Sequence, residues 1–585
     1  MATRLRKCVS LGDAGTPFDA GNPSLPGNPE LVQLYGRTTL PSPSAPKGYD
    51  NLMFLEDTNT QWVRLFVSWH YMWPNPPAPL DETSAIPYPA AFPMDPVNGP
   101  YVNIPQVYYQ LMLLDANILA AKNAKKSVIL TTVHYPKWLN QTSMLSPSAP
   151  PYQYHEQGTA LGNGVLPPDN VLVPLNTTTP PEGRKRFIPT DFMYHRWINF
   201  LIYRYHRNSP EHNPPYFAPA KGTYIDALEL VNEPNISDGA GATCSVVTGN
   251  CTSSPAQLAS RPQSTVLMMR TAQKLNQSYN KNPLFASPPG QSPQPLKLLG
   301  PALAGYDATD GSHPKGSKYD VKSTFTYQVI HGLVKANGGK PIHDSNFGWS
   351  HHNYEDVEMI GNAIFRLSTR KGSPPFSESF LPELAFLFYG MKTQGVRDIL
   401  SSFNPSDPTL QVPDILWFGW GGPEGSGPAG PPRGDFDTNP YIFLTEGGCR
   451  LEAMRHFANS KSGRHPDPNG GEGDPNAHYE TGAKVDSSAL QKRLQMYSVG
   501  GAADALRLSE TGAGVEMLTN FLFFDDYVTN FSGLCDQYAP GRTCPPFDST
   551  AAKLCPEPNE TAGQYERPVY AAWKKFGLVG KNFGL

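Results

Sequence analysis

Two glutamates close apolar, strand-like runs in this chain. Glu233 stands in Ile225-Asp226-Ala227-Leu228-Glu229-Leu230-Val231-Asn232-Glu233-Pro234-Asn235, and Glu446 ends Tyr441-Ile442-Phe443-Leu444-Thr445-Glu446, just before Gly447-Gly448. An acid at the C-terminal end of a strand faces the active-site mouth if the strands belong to a closed (β/α)8 barrel. Two such acids across one mouth can divide a reaction between them. One protonates a leaving oxygen while the other, ionised, attacks an acetal carbon. Taken alone, Asn232-Glu233-Pro234 reads equally well as a solvated turn, in which all three residue types are common. A tripeptide is weakly specific, so the other strand ends must decide.

Those ends carry a consistent set. Arg64 is embedded in Trp62-Val63-Arg64-Leu65-Phe66-Val67-Ser68-Trp69, His134 closes the run from Ser127, and His352-x-Tyr354 closes the run from Asn346. Arg64 and Tyr354 can donate hydrogen bonds to Glu446, holding it ionised and oriented. Asn232 can bond a sugar 2-hydroxyl, a contact that strengthens in the transition state. Trp138 and Trp349 are candidate sugar platforms, since an indole face stacks on a sugar ring, although Trp is equally a core residue. Trp69, Trp73, Trp417 and Trp420 also flank strand ends.

Other reactive-looking residues have blander readings. Glu229 lies in the middle of its strand, and Glu355, Glu358 and Glu516 read as solvated or salt-bridged acids. His351 and His352 are neighbours on one strand and so point to opposite faces, with no third ligand at suitable spacing. His352 is therefore expected to face the cleft and His351 to pack behind it. Asp307-x-x-Asp310-Gly311 lacks the closing Glu of a calcium loop. Cys449 has no base partner that would make it a nucleophile, and reads as inert or disulfide-bonded. No metal or cofactor is expected.

The elements that must position this set alternate strictly. Strands are expected at Lys7–Gly12, Trp62–Trp69, Ser127–His134, Ile225–Val231, Leu296–Ala304, Asn346–Tyr354, Tyr441–Glu446 and Val515–Phe524. Helical spacing is expected at Tyr49–Asp57, Tyr108–Ala124, Asp191–Tyr205, Thr265–Tyr279, Val321–Ala336, Leu384–Phe403, Ser487–Leu508 and Val569–Phe576. Strict alternation implies parallel strands joined by right-handed crossovers. Eight units favour the closed α/β barrel over an open sheet, and no Gly-rich phosphate loop follows the first strand. The expectation is a single catalytic (β/α)8 TIM barrel over residues 1–585, with 1–47 as first strand and loop and 535–585 as a Cys-containing loop and last helix.

Composition fits that reading. Pro (62) and Gly (52) together supply 114 of 585 residues and lie mostly between the periodic segments, which reads as long, stiffened loop insertions. Lys+Arg 47 against Asp+Glu 51, a net charge of -4, gives no footprint for nucleic acid or an anionic membrane. No run approaches the ~18 apolar residues of a spanning helix. Met1–Lys7 is basic with no apolar stretch behind it, so no signal peptide is expected here. Cys244 and Cys251 share one polar loop, and Cys535, Cys544 and Cys555 another, which suits disulfides in an oxidising compartment. With Asn-x-Ser/Thr sequons at Asn140, Asn176, Asn235, Asn250, Asn276, Asn530 and Asn559, a secreted location is the expectation.

The ordered set Arg64, His134, Asn232-Glu233-Pro234, His352-x-Tyr354 and Glu446 resembles clan A of the retaining β-glycoside hydrolases, especially families 5 and 39. Gly300-Pro301-Ala302 on the fifth strand is also similar to the family 39 pattern. The resemblance implies Glu233 as acid/base, Glu446 as nucleophile, and a glycoside, oligosaccharide or polysaccharide as substrate. It leaves two alternatives: a transglycosylase using the same residues, and a sugar-binding barrel without catalysis. The chain departs from family 5 at the eighth strand, where Phe521-Leu522-Phe523-Phe524 replaces the usual Trp, so the platform falls to Phe523, Phe524 or a loop Trp. The two Glu are also 446 − 233 = 213 positions apart, which the insertions account for.

Overall fold

The computed structural model describes residues 5–10, 55–72, 105–133, 154–156, 187–189, 191–209, 221–230, 232–235, 261–287, 295–303, 325–338, 346–354, 356–358, 396, 400, 442–449, 488–508, 515–521 and 568–575. Eight parallel strands close into a barrel: β1 Arg6–Ser10, β2 Trp62–Ser68, β3 Ser127–Val133, β4 Ala227–Glu229, β5 Lys297–Leu303, β6 Phe347–His352, β7 Ile442–Glu446 and β8 Val515–Phe521. Each pairs with its neighbours in sequence order, and β1 closes the ring on β8 with Arg6 opposite Met517 and Ser10 opposite Phe521. Between them lie α1 Trp69–Met72, α2 Pro105–Asn123, α3 Asp191–Tyr205, α4 Arg261–Lys281, α5 Phe325–Ala336 and α6 Ser488–Leu508, with α7 Pro568–Lys575 last. The chain is a (β/α)8 barrel.

Strand parity builds two cores. Val128 and Leu130 of β3 pack outward in the shell shared with the helices, while Ile129 turns inward to meet Cys8, Ala227, Leu299, Phe443 and Met517. Burial on both faces is why these strands read as continuous apolar runs. Gly348 makes room for the inner plug: a Cβ there would come within 2.5 Å of the Phe443 ring. Two residues further along the same strands the lumen turns polar, with Arg64, Thr131, Glu229, Thr445 and Thr519 all buried. Phe66, Val133 and Phe521 cap that layer, with Tyr354 packed against them. The helices cover the outer face by their apolar stripes; α5 buries Phe325, Val329, Ile330, Leu333 and Val334, at three- and four-residue spacing.

The last helix locks the first strand. Lys7 on β1 donates from Nζ to the backbone oxygens of Thr58 and, at 3.0 Å, Trp573 of α7. Burial, helped by the charge of Lys126, pulls its pKa down to about 7. Trp573 Nε1 in turn donates to Thr60 Oγ1 at 3.2 Å, and Tyr570 donates to Asp57 at 2.7 Å.

Some boundaries differ from the sequence reading. Of the expected run Ile225–Val231, residues 225–230 are described and yield only the short β4; the Ile225 N–H goes to Tyr205 O at 3.0 Å instead of a neighbouring strand. A short antiparallel ladder, Tyr154–Glu156 with Phe187–Pro189, lies in a segment expected to be polar insertion. Of the expected helix Leu384–Phe403 only residues 396 and 400 are described, and Leu522–Phe524 lie outside the described residues. Cys449 and Cys8 are both buried, and among the described residues no disulfide joins them. Cys244, Cys251, Cys535, Cys544 and Cys555 lie outside the described residues. No helix among the described residues is long and apolar enough to cross a membrane.

Candidate active site

Arg64 is the hub of the barrel mouth. It lies two positions after the lumen-facing Trp62 of β2, and its guanidinium is wholly buried. Nε donates to Glu229 Oε2 at 2.8 Å, Nη1 to Glu446 Oε2 at 2.5 Å, and Nη2 to Asn232 Oδ1 at 2.8 Å. The face of the guanidinium lies 4.5 Å from the centroid of the Phe66 ring, within cation–π range. Burial opposes the charge, but Glu229 and then Glu446 overcome it and hold the group above its ordinary pKa. A planar fork with five fixed donors suits three acceptors held in set directions.

Glu233 is held chiefly by the neighbouring strand. It follows β4 with φ 46°, a left-handed conformation that costs a residue with a Cβ about 1–2 kcal/mol. Its N–H donates to Ala302 O at 2.9 Å. Ala302 also has φ 46° and sits where the β5–β6 register shifts between Gly300 and Leu303, its own N–H donating to Ser350 Oγ at 3.0 Å. Local strain of this kind persists where surrounding contacts over-determine it, and such places cluster at functional sites.

Glu446 ends β7 and is fixed on several sides. Its backbone oxygen accepts from Asn353 N at 2.9 Å, and Gly447 O accepts from Phe521 N at 2.5 Å. A Cβ at Gly447 would stand 1.9 Å from Asn353 Oδ1, so a glycine is what allows β7 this close to the end of β6. The carboxylate takes Arg64 on Oε2 and the Tyr354 hydroxyl, at 3.1 Å, on Oε1. Tyr354 is braced edge-on by Phe521, ring centroids 6.1 Å apart.

His352 lies between the two acids, wholly buried. Its Nδ1 is 2.7 Å from Glu233 Oε1, and its Nε2 is 3.6 Å from Glu446 Oε2 and 3.5 Å from Arg64 Nη2. Burial lowers the imidazole pKa and so does Arg64, yet the charge of Glu446 with the hydrogen bond and charge of Glu233 prevail, and the net shift is upward. One oxygen of Glu233, one of Glu446 and a ring nitrogen of His352 lie within 4.8 Å of one another, the set that could in principle hold a metal ion. The Arg64 guanidinium already supplies the positive charge on Glu446, so the donor set fits a hydrogen-bonded cluster better than a cation. The acids differ in depth: the side chain of Glu233 is 22% exposed and that of Glu446 10%.

The structure thus brings together Arg64, Asn232, Glu233, His352, Tyr354 and Glu446. His134 and Trp138 lie outside the described residues. Trp349 must be corrected: it is wholly buried, on the outward parity of β6 between Gly348 and Ser350, and belongs to the barrel–helix shell. It offers no face to a sugar. Trp69 is likewise a core residue, stacked on Trp197 at 5.8 Å. Glu516 sits near the opposite end of the barrel, 3.7 Å from Arg6.

The residue that sequence reasoning left out is Glu229. An expected mid-strand position argued for a bystander, whereas Glu229 ends β4, its side chain fully buried against Arg64 and accepting from Thr131 Oγ1 at 2.7 Å. Two signals could have found it: a buried Arg needs a buried counter-charge, and Glu229 shares the inward parity of Ala227. Burial would raise the Glu229 pKa, but Arg64, then His352 and the hydroxyls of Thr445 and Thr131, outweigh it, and the carboxyl titrates below its ordinary value.

No protein-family model matches the chain, and no curated protein matches it. Solved structures similar to it include a family 39 glycoside hydrolase from Bacteroides cellulosilyticus WH2, at 11% identity and TM-score 0.37, covering 99% of this chain and 65% of the other. A family 5 lichenase from Caldicellulosiruptor sp. F32 shows 10% identity and TM-score 0.37, covering 98% of this chain and 93% of the other. A structure named GH5_18 from Bifidobacterium longum shows 9% identity and TM-score 0.37, with 98% and 78% covered.

Proposed function

We propose that the chain is a retaining β-glycoside hydrolase in which Glu446 is the nucleophile and Glu233 the acid/base. The observation that carries the reading is the approach of the two acids: oxygens of Glu233 and Glu446 lie within 4.8 Å of each other across one barrel mouth. Retaining enzymes hold their carboxyl groups ~5–5.5 Å apart, whereas inverting enzymes leave ~6.5–9.5 Å for a water.

The surroundings divide the roles. Glu446 is the deeper acid and accepts from a cation and a phenol, which suits a carboxylate that must stay ionised until it attacks. Glu233 is more open to solvent and lies 2.7 Å from His352 Nδ1, a ring nitrogen that can give or take a proton, which suits a group that does the same. Asn232 has its oxygen on Arg64, so its amide nitrogen is the group it offers to a sugar hydroxyl. In the first step a Glu446 oxygen bonds to the anomeric carbon as the bond to the leaving oxygen breaks, and Glu233 delivers its proton to that oxygen. In the second step Glu233 takes a proton from water, the water oxygen bonds to the anomeric carbon, and the ester to Glu446 breaks.

The test is a panel of nitrophenyl β-glycosides with wild type and Glu446→Gln. Wild type is expected to release nitrophenol and to give the β-anomer first by proton NMR. The variant is expected to lose at least about 10³-fold in kcat while remaining folded. A first-formed α-anomer, or full activity in Glu446→Gln, overturns the assignment. A panel without any turnover would point to a sugar-binding barrel.

A further inference from the structure

We propose that Glu229 is a positioning residue for the reaction: its buried carboxylate shares the Arg64 guanidinium with Glu446, fixing that guanidinium edge-on and leaving Glu446 only part of its charge. The inference rests on Glu446 being the nucleophile. The geometry is specific. Arg64 Nε is 2.8 Å from Glu229 Oε2 and Nη2 is 2.7 Å from the same oxygen, while the opposite corner of the fork, Nη1, meets Glu446 Oε2 at 2.5 Å. Glu229 is pinned from the adjacent strand by Thr131 Oγ1, its register partner on β3, at 2.7 Å. Its side chain is fully buried, as is that of Arg64, so water cannot replace either partner.

The consequence for chemistry is a matter of charge balance. A carboxylate that must attack carbon should be ionised but not fully neutralised by a cation, because an ion pair weakens its nucleophilicity. With one guanidinium and one carboxylate, Glu446 would carry the whole pair. A second carboxylate on the same guanidinium divides it. The groups facing Glu229 are Arg64 from β2, Thr131 from β3, His352 from β6, Thr445 from β7 and Cys8 from β1. Cys8 is neutral, its thiol pushed up to about 12 mainly by burial. Glu229 is therefore the negative charge that faces Arg64 from inside the barrel, and Glu446 the one that faces it from the mouth.

The experiment compares Glu229→Gln and Glu229→Asp with wild type in the pH dependence of kcat/KM on a nitrophenyl β-glycoside that wild type hydrolyses. Glu229→Gln removes the charge and keeps the shape. It is expected to lose roughly 10–100-fold in kcat, the usual cost of losing a group that orients a reacting one, with KM little changed. It is also expected to move the acidic limb to lower pH, since one negative charge beside Arg64 and the reacting pair is gone. Glu229→Asp keeps the charge and should return the limb to its wild-type position, even if kcat stays low. Loss of activity in Glu229→Gln with both limbs unmoved would mark Glu229 as packing alone and overturn the inference. If Glu229→Gln is recovered unfolded, Thr131→Val decides: it removes the hydroxyl 2.7 Å from Glu229 without removing charge. A lower kcat at unchanged KM supports the inference and a wild-type kcat overturns it. Failure of the underlying reading shows separately, as a wild-type protein that hydrolyses no β-glycoside.

Discussion

Replacing Arg64 by Met should destabilise the barrel through Glu229 more than through Glu446. The change strands two carboxylates at once, but not equally. The Glu446 side chain is 10% exposed at the mouth and keeps the Tyr354 hydroxyl at 3.1 Å, whereas the Glu229 side chain is 0% exposed and keeps the hydroxyls of Thr131 and Thr445 and the more distant charge of His352. Removing one partner of a buried pair costs about 3–5 kcal/mol, because the other charge is left uncompensated. Against a total stability of about 5–15 kcal/mol, that moves a urea midpoint far towards zero. Adding Glu229→Gln to Arg64→Met removes the stranded charge, so the double variant should be more stable than Arg64→Met alone by about 1–3 kcal/mol. The assay is urea unfolding followed by Trp fluorescence at neutral pH. It has a built-in pH check. In wild type Glu229 titrates below its ordinary value, so its contribution is present above pH 4.5 and is lost as pH falls through the folded value. Without Arg64, burial makes the neutral carboxyl the favoured form, so the deficit of Arg64→Met should narrow as pH falls. A double variant no more stable than Arg64→Met, or a deficit that does not narrow in acid, refutes the stranded-charge account.

Trp349→Ala should lower stability by about 3–5 kcal/mol through the cavity left in the barrel–helix shell, while KM for a small aryl glycoside stays at the wild-type value; a raised KM in a folded variant would return Trp349 to the substrate. His352 carries a raised pKa, so its stabilising contribution is complete below the ordinary value of 6.5 and is lost as pH rises through the folded value. The melting-temperature difference between wild type and His352→Gln should therefore shrink from pH 6 towards alkaline pH, by about the linkage of one titrating group, and a difference that grows with pH would contradict it.

How much of this was legible beforehand follows from where each signal resides. Parallel strands covered on both faces must be apolar throughout, so the alternation of such runs with helical spacing announced the barrel. The ends of those runs announced the polar set, because a carboxylate directly after a buried strand has few places to go. Arg64 was visible as the lone charge inside β2 and Tyr354 as the hydroxyl after β6. Glu229 was not, because an acid within a continuous apolar run declares its role only when its inward parity and its partner on β2, 165 positions away, are known together. Trp349 misled for the same reason, since parity along β6 sends it outward while His352, three residues on, turns in.

The local sequence determined which residues end strands and so which could share a mouth, since burial and periodicity act over a few neighbouring residues. Only the closed tertiary structure decided which of them touch. The left-handed Glu233 depends on a backbone oxygen supplied by Ala302, and the spacing of Glu233 from Glu446 on strand register around the ring. The sharing of one guanidinium between two carboxylates likewise depends on side chains from three strands meeting where the closed barrel buries them. Those are long-range conditions. They arise from closing the barrel, and no window of sequence contains them.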